Sequence, residues 1–263
     1  MKLLIKLGGT LLDDASIRGQ LAAQIAGVAG QGHRVVVVHG GGKRLSRYLA
    51  ERGIESRFVN GLRVTTPEIL EGVVRVFAGE VNTELVGALE SAGARAVGLT
   101  GADAGLTEAS PLSPELGAVG RIERVRPALL DLLTGEGYVP VVACLGAGAR
   151  GELYNVNADQ MAVACAAAFG AARLIFLTDV EGALDGEKRL LRQLTAEQAM
   201  ALVESGIATG GMEAKLRACS EAVRQGVPEV RIAAGSRPGV LEQLLAGEAA
   251  GTAVAAAAPV AAS

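Results

Sequence analysis

Six short apolar runs recur along the chain, each followed by a stretch with helical spacing. They are "LLIKL", "HRVVVVH", "ARAVGLT", "YVPVVACL", "ARLIFLTD" and "EVRIAA". Most are β-branched and apolar at successive positions, so neither face of the strand can tolerate water. A parallel sheet covered on both sides by helices meets that demand, and parallel strands require crossovers of the length seen here. The pattern predicts an α/β fold: a three-layer αβα sandwich with a mainly parallel central sheet and right-handed crossovers. The 36 glycines fall between the apolar runs and not in one tract, as short turns require. Thr195 followed by Gln198 predicts a capping box ahead of "AMALVES".

Two stretches interrupt the alternation. "SRFVNGLRVTTPE" places Asn60-Gly61 between short extended runs, a hairpin signal. "SPELGAVGRIERVRP" predicts a second small β excursion, and the tail "GTAVAAAAPVAAS" has no patterned face and is expected to fray. A boundary near residues 170–175 is expected to divide an N-terminal lobe, 1–172, from a C-terminal lobe, 173–263. No Pro- or Ser-rich linker marks it, which allows one sheet to run through both.

Composition narrows the function classes. A formal net charge of −3 without a long basic run argues against nucleic acid as a partner. Cys144, Cys165 and Cys219 are odd in number, far apart and in apolar surroundings. They read as buried thiols in a reducing compartment rather than a disulfide framework or a zinc site. The first apolar run is short and leads into glycines, unlike a secretory leader, and no window has the length of a membrane span. The expectation is a cytoplasmic protein that engages neither membrane nor nucleic acid.

Ligands of open α/β sheets bind beyond the carboxyl ends of the strands. There, Lys6 interrupts an apolar strand just before Gly8-Gly9, and reads either as a snorkelling lysine or as a functional one. Gly40-Gly41-Gly42-Lys43 leads from a strand into a helix. A tight turn needs one or two glycines; three in succession let backbone amides converge on an anion. This is not a P-loop, since the upstream glycine and the following Ser/Thr are missing. "GAGARG" at 146–151 matches a dinucleotide fingerprint in spelling only. Its helix starts near Ala158, so the glycines read as a loop.

In "YNVNADQ", capping explains Asn157 and first-turn placement suits Asp159, but neither explains Asn155. In "GGMEAKLRACSEAVRQG", Met212, Leu216, Cys219 and Val223 mark a buried stripe, and Lys215 lies beside it near the helix N-terminus. A cation there opposes the helix dipole unless a phosphate is bound at the preceding "TGG". "FLTDVEGAL" ends a strand in Asp179 and a glycine-containing loop suited to a ribose and base.

In this order, "KLGG", "HGGGK", "NGLRVT", "YNVNADQ", "LTDVEGAL" and "GGMEAK" resemble the amino-acid kinase superfamily, and within it the N-acetylglutamate kinase family of arginine biosynthesis. The resemblance runs from the first strand to about Thr252. It implies phosphoryl transfer from ATP, brought with Mg²⁺, to the side-chain carboxylate of N-acetyl-L-glutamate. By motif, Lys6 and Lys215 would stabilise charge on the transferring group, with Asp159 holding the two lysines. Gly8, Gly9 and Gly42 would bind phosphate. Gly41, Gly42, Arg63 and Asn155 would bind the amino acid, Arg63 through its α-carboxylate. Asp179, Val180, Glu181, Gly182, Ala183 and Leu184, with Ile207, Ala208, Thr209, Gly210 and Gly211, would form the nucleotide site. No protein carboxylate pair for a metal is evident, so Mg²⁺ would arrive with ATP. His39 reads as structural.

The resemblance also implies a homodimer. The chain starts on its first strand, without the N-terminal helix of arginine-inhibited hexameric members, which implies the arginine-insensitive type. Two rivals stay open: a kinase of the same fold for a carrier-bound aminoadipyl or glutamyl group, and a non-catalytic amino-acid or nucleotide sensor. The first expects a longer insert at "NGLRVT" and a basic docking face. The second expects loss of one of the two lysines, and both are present.

Overall fold

The computed structural model describes residues 1–248 and 250–256. From the N-terminus, Lys2–Leu7 (β1) leads through Gly9–Leu12 (α1) and Ala15–Gly30 (α2) to Arg34–His39 (β2) and Gly42–Ala50 (α3). The hairpin Phe58–Val59 (β3) and Leu62–Arg63 (β4) follows, turning at Asn60 and Gly61, both at positive φ. One continuous helical run then comprises Pro67–Val73 (α4), a π-helical segment Val74–Val81, and Asn82–Ser91 (α5). Next come Arg95–Thr100 (β5), Thr107–Pro111 (β6), Val119–Val125 (β7), Ala128–Gly135 (α6) and Tyr138–Ala143 (β8). Leu145–Ala147 (β9), Leu153–Val156 (β10), Ala158–Phe169 (α7) and Arg173–Thr178 (β11) complete the first two thirds. The remainder holds Gln193–Thr195 (β12), Ala196–Glu204 (α8), Gly210–Arg224 (α9), Glu229–Ala234 (β13), Val240–Leu245 (α10) and Thr252–Ala255 (β14).

Eight strands form one sheet in the order β12-β14-β13-β11-β1-β2-β8-β5, parallel throughout except for the β13–β14 pair. All six predicted strands lie in it. β1 pairs with β2 on one side and β11 on the other, so a single sheet spans the expected boundary near residues 170–175. Helices α6, α7 and α9 pack on one face and α2, α5 and α10 on the other. Leu3, Leu4, Ile5, Leu7 and Val35 to Val38 are buried accordingly. Each such side chain contributes about 1.5–3 kcal/mol of apolar burial. Among the described residues no helix is long and apolar enough to cross a membrane.

Local chemistry sets the helix ends. Asp14 Oδ1 accepts from the Ser16 and Ile17 amides to open α2. Thr66 caps α4 with Pro67 in its first turn, and Thr195 and Gln198 form the predicted capping box of α8. α7 starts on Asn157, whose Oδ1 accepts from the Asp159 and Gln160 amides, and ends at Gly170 in the left-handed region.

The expected β excursion after Ser113 is present as β7, one strand of a second, four-stranded sheet in the order β6-β7-β10-β9. Two expectations need correction. "GAGARG" is not wholly a loop, because its first residues belong to β9. Three of the four strands of this second sheet have five residues or fewer, too short for a period of two to stand out. The tail also orders further than expected: Thr252–Ala255 is a strand of the main sheet. Thr252 is fully buried there, its hydroxyl donating to Leu191 O at 2.6 Å and accepting from the Ala183 amide at 2.9 Å. The final residues of the tail, 257–263, lie outside the described residues.

Candidate active site

The turns after β1 and β2 lie side by side at the carboxyl edge of the sheet. The Gly8 amide donates to Leu177 O at 2.9 Å, tying the first turn to β11. A Cβ on Gly9 would stand 3.6 Å from the Gly42 nitrogen, so the two glycine turns nearly touch. A Cβ on Gly41 would stand 2.9 Å from Phe77 Cδ1 and 3.2 Å from Val81 Cγ2. The π-helical segment thus packs directly under the second turn, and only glycine admits that approach. Among the described residues the Gly41 and Gly42 amides donate to no backbone acceptor. They are the unpaired donors expected at a helix N-terminus, here on the wall of a cleft.

That cleft encloses about 170 Å³ and is lined by Gly40–Gly42, Leu45, Phe58, Leu62, Arg63, Phe77, Val119 and the segment Asn155–Ala158. Arg63, on β4, is only 8% exposed. Its guanidinium donates to Ser46 Oγ at 2.7 Å, to Gly42 O at 3.3 Å and to Ser56 Oγ, and stands over the Phe58 ring at 4.6 Å. Among the described residues it has no carboxylate within 4.0 Å. Burial lowers its pKa from the ordinary arginine value, yet an arginine keeps its charge in proteins. A buried cation held by neutral oxygens leaves attraction to spare for an anion. Across the cleft Asn155 Nδ2 donates to Thr65 Oγ1 at 3.0 Å, and that hydroxyl donates to Arg63 O at 2.9 Å.

Behind the glycine turns Lys6 meets Asp159, Nζ to Oδ1 at 2.6 Å, with 9% and 12% of the side chains exposed. The sequence puts them there by matched lengths. Lys2 and Lys6 project from the same face of β1, about 13 Å apart at 3.3 Å per strand residue. α7 lies on that face, and from Asp159 to Phe169 it rises about 15 Å at 1.5 Å per residue. Lys2 accordingly donates to Phe169 O at 2.9 Å at one end, while Lys6 reaches Asp159 at the other. Lys2 is the snorkelling lysine, in ion pair with Asp131 at 2.6 Å; Lys6 is enclosed.

Lys215 is half-buried in the second turn of α9, its Nζ 3.4 Å from Gly211 O, and it has no ion pair among the described residues. Asp159 is therefore seen holding one lysine, not two. The second is nearby, since α7 packs on α9. Burial, foremost, drives the Cys219 thiol above its ordinary range; Asp159 raises it as well, and Lys215 opposes. Of the predicted stripe on α9, Leu216 and Cys219 are fully buried, with Met212 and Val223 packed partly against them. After β11, the Asp179–Leu184 loop exposes Val180 and Leu184, and Ile207 is similarly exposed before α9. Gly182 is held where a Cβ would strike Thr252 Oγ1 at 2.4 Å. Among the described residues no cluster of three or more His, Cys, Asp or Glu is suited to a metal ion.

Residues 1–234 match the amino acid kinase family. The chain belongs to that family. This amino acid kinase is 60% identical over 252 residues to an acetylglutamate kinase of Solibacter usitatus, covering 96% of this chain and 98% of the relative. It is 44% identical over 246 residues to an acetylglutamate kinase of Koribacter versatilis, covering 93% and 94%. Among solved structures, a Streptococcus mutans protein superposes with a TM-score of 0.85 at 28% identity, over 97% of this chain and 98% of that one. An N-acetylglutamate synthase of Neisseria gonorrhoeae, solved with coenzyme A and N-acetyl-glutamate, superposes at 0.88 with 27% identity, over 98% of this chain and 60% of that one.

Several groups around this amino acid kinase's cleft escape sequence reasoning. Ser46, Ser56 and Thr65 hold Arg63 and Asn155, and Phe77 and Val81 seat Gly41. No motif marks Ser46, Ser56, Phe77 or Val81, because each acts through a contact with another element; Thr65 lies inside "NGLRVT", but nothing in that run shows its hydroxyl meeting Asn155. The π-helical segment, a feature often found at functional sites, has no sequence signature of its own.

Proposed function

We propose that this chain transfers the γ-phosphoryl group of MgATP to the side-chain carboxylate of N-acetyl-L-glutamate, giving N-acetyl-L-glutamyl 5-phosphate in the second step of arginine biosynthesis. The observation that carries this reading is Arg63: a buried guanidinium in the wall of the same cleft as the unpaired glycine amides, and without a carboxylate partner among the described residues. A small dianionic amino-acid derivative fits one carboxylate to Arg63 and the other toward the glycine turns. Asn155 contacts the groups on its α-carbon. The acetylglutamate kinase relatives, matched over nearly the whole chain, support the substrate choice.

The chemistry needs little beyond positioning and charge. A glutamyl carboxylate has a pKa near 4.3 and is ionised at neutral pH, so no general base has to remove a proton. In-line transfer then depends on holding the reacting oxygens together and offsetting charge on the moving phosphoryl group. Lys6, aimed by Asp159, and Lys215 supply positive charge. Gly8, Gly9, Gly41 and Gly42 supply amides. The 179–184 and 207–211 segments hold the nucleotide, and Mg²⁺ enters as part of the cosubstrate, bound mainly by its phosphates. In this reading residues 1–172 bind the amino acid and carry a homodimer contact, residues 173–263 bind ATP, and the enzyme works in the cytoplasm.

Purified protein given ATP, Mg²⁺, N-acetylglutamate and hydroxylamine is expected to form the hydroxamate, which traps the acyl phosphate. Activity on free glutamate or a carrier-bound substrate, with none on N-acetylglutamate, would overturn the assignment. Arg63→Ala should mainly raise KM for the amino acid. Arg63→Lys should not restore it, because an ammonium cannot reproduce the planar fork that Ser46 and Ser56 hold.

A further inference from the structure

Behind the cleft lies a chain of buried polar groups that the chemistry above does not use. It starts at Val141 O on β8, a carbonyl that can only accept. Asn82 Nδ2 donates to it at 2.8 Å, which decides which end of that amide is nitrogen. The same nitrogen lies 3.0 Å from His39 Nε2, so Nε2 must accept. The ring proton then sits on Nδ1, which donates to Gly40 O at 2.9 Å. Both side chains are buried, His39 completely. Each donor and acceptor role is forced by the one before it.

The last link matters for the cleft. Gly40 C=O and Gly41 N–H belong to one trans peptide and point in opposite directions. Holding the oxygen against the His39 ring turns the Gly41 amide away from it, toward the first glycine turn. The Gly41 nitrogen does lie on that side, 3.8 Å from where a Gly9 Cβ would stand. The π-helical segment and the residue that follows it, Asn82 at the start of α5, supply the two supports of the turn. Phe77 and Val81 pack on Gly41 while Asn82 engages His39.

We infer that His39 and Asn82 are positioning residues that aim the Gly41 amide at an anionic oxygen of the reacting groups. The inference rests on the cleft being a phosphoryl-transfer site. A filler role would ask only for ring volume; a positioning role asks for a donor at the Nδ1 place. Asparagine carries its amide directly on Cγ, as histidine carries Nδ1, so His39→Asn keeps the donor and His39→Leu removes it.

Full-length wild type, His39→Asn and His39→Leu should be assayed with MgATP and N-acetylglutamate. His39→Leu is expected to lose kcat by about 10- to 100-fold, up to the cost of a misplaced group and less than the loss of a whole transition-state donor. Its KM values should stay within about threefold of wild type, as for an interaction made in the transition state. His39→Asn should recover most of the loss. Full turnover in His39→Leu, or folded His39→Asn as slow as His39→Leu, overturns the inference.

Wild type alone gives a second reading that no folding failure can spoil. With only two histidines in the chain, ¹⁵N imidazole shifts assign His39 directly. A protonated Nδ1 with a bare Nε2 at pH 7 is expected, and the opposite tautomer sinks the proposal. Failure of the substrate assignment would show separately, as wild-type inactivity on N-acetylglutamate. The Gly41 amide resonance then decides: it should shift when MgATP is added to wild type, and the same response in His39→Leu overturns the inference.

Discussion

Acidification from pH 7.5 to pH 4 protonates His39 in the unfolded chain well before the folded one. The ordinary value is 6.5, and in the fold it falls to about 4, through complete burial, offset in part by the hydrogen bond to Gly40 O. Between those values the unfolded state binds the extra proton, so stability rises with pH. The contribution is complete above pH 6.5 and drains away as pH falls toward 4. The gap between the two values, at 1.36 kcal/mol per pH unit, amounts to about 3 kcal/mol in all. At pH 5 about 2 kcal/mol of it should be gone, equivalent to about 4–8 °C in Tm for a chain of this size. Carboxylates also titrate as pH falls, so the assay is a difference: Tm of wild type minus Tm of His39→Asn, from pH 7.5 down to pH 5. The variant has no ring to titrate, and the difference should shrink with acidity by the amount given. A difference constant across that range would refute the reasoning, because it would mean that the folded ring titrates like a free one.

The two lysines should part company in stability assays while agreeing in kinetics. Lys6→Ala leaves Asp159 buried without its cation and should cost about 3–5 kcal/mol in urea unfolding. Lys215→Ala should stay within about 0.5 kcal/mol of wild type; both should lose kcat far more than substrate affinity, and near-normal turnover in Lys6→Ala would show that its assigned role is wrong. Gly41→Ala should destabilise by about 1–3 kcal/mol through overlap with Phe77, and Phe77→Leu should relieve part of that, unless the turn carries the extra methyl without loss. All three thiols are buried, Cys165 pushed up to about 12 and the other two also raised, so a thiol reagent at pH 8 should find none in native protein and three after denaturation. Rapid labelling of native protein would contradict that burial.

Elements whose residues carry their own reason were legible in the chain. "RVVVVH" can be buried on both faces only inside a parallel sheet, and it lies there as β2. Asn60-Gly61 turns a hairpin because both residues accept positive φ. Thr195 and Gln198 cap α8 through contacts three residues apart. Elements that depend on a distant partner were not legible. Thr252 joins a strand because Leu191 O and the Ala183 amide await its hydroxyl. β6, β9 and β10 exist as strands because they find one another and β7.

The site divides in the same way. The positions of Lys6, the glycine turns, Asn155 and Asp159 follow from strand ends and helix starts, which short-range chemistry specifies. That Lys6 and not Lys2 is enclosed, that Arg63 is held by hydroxyls without a carboxylate, and that His39 faces Asn82 were decided by tertiary structure. A side chain's charge, tautomer and aim depend on which groups surround it within a few ångströms. Those neighbours come from elements up to 153 residues away, as Asp159 does for Lys6. Local propensity can specify where a side chain starts; only packing specifies what it meets.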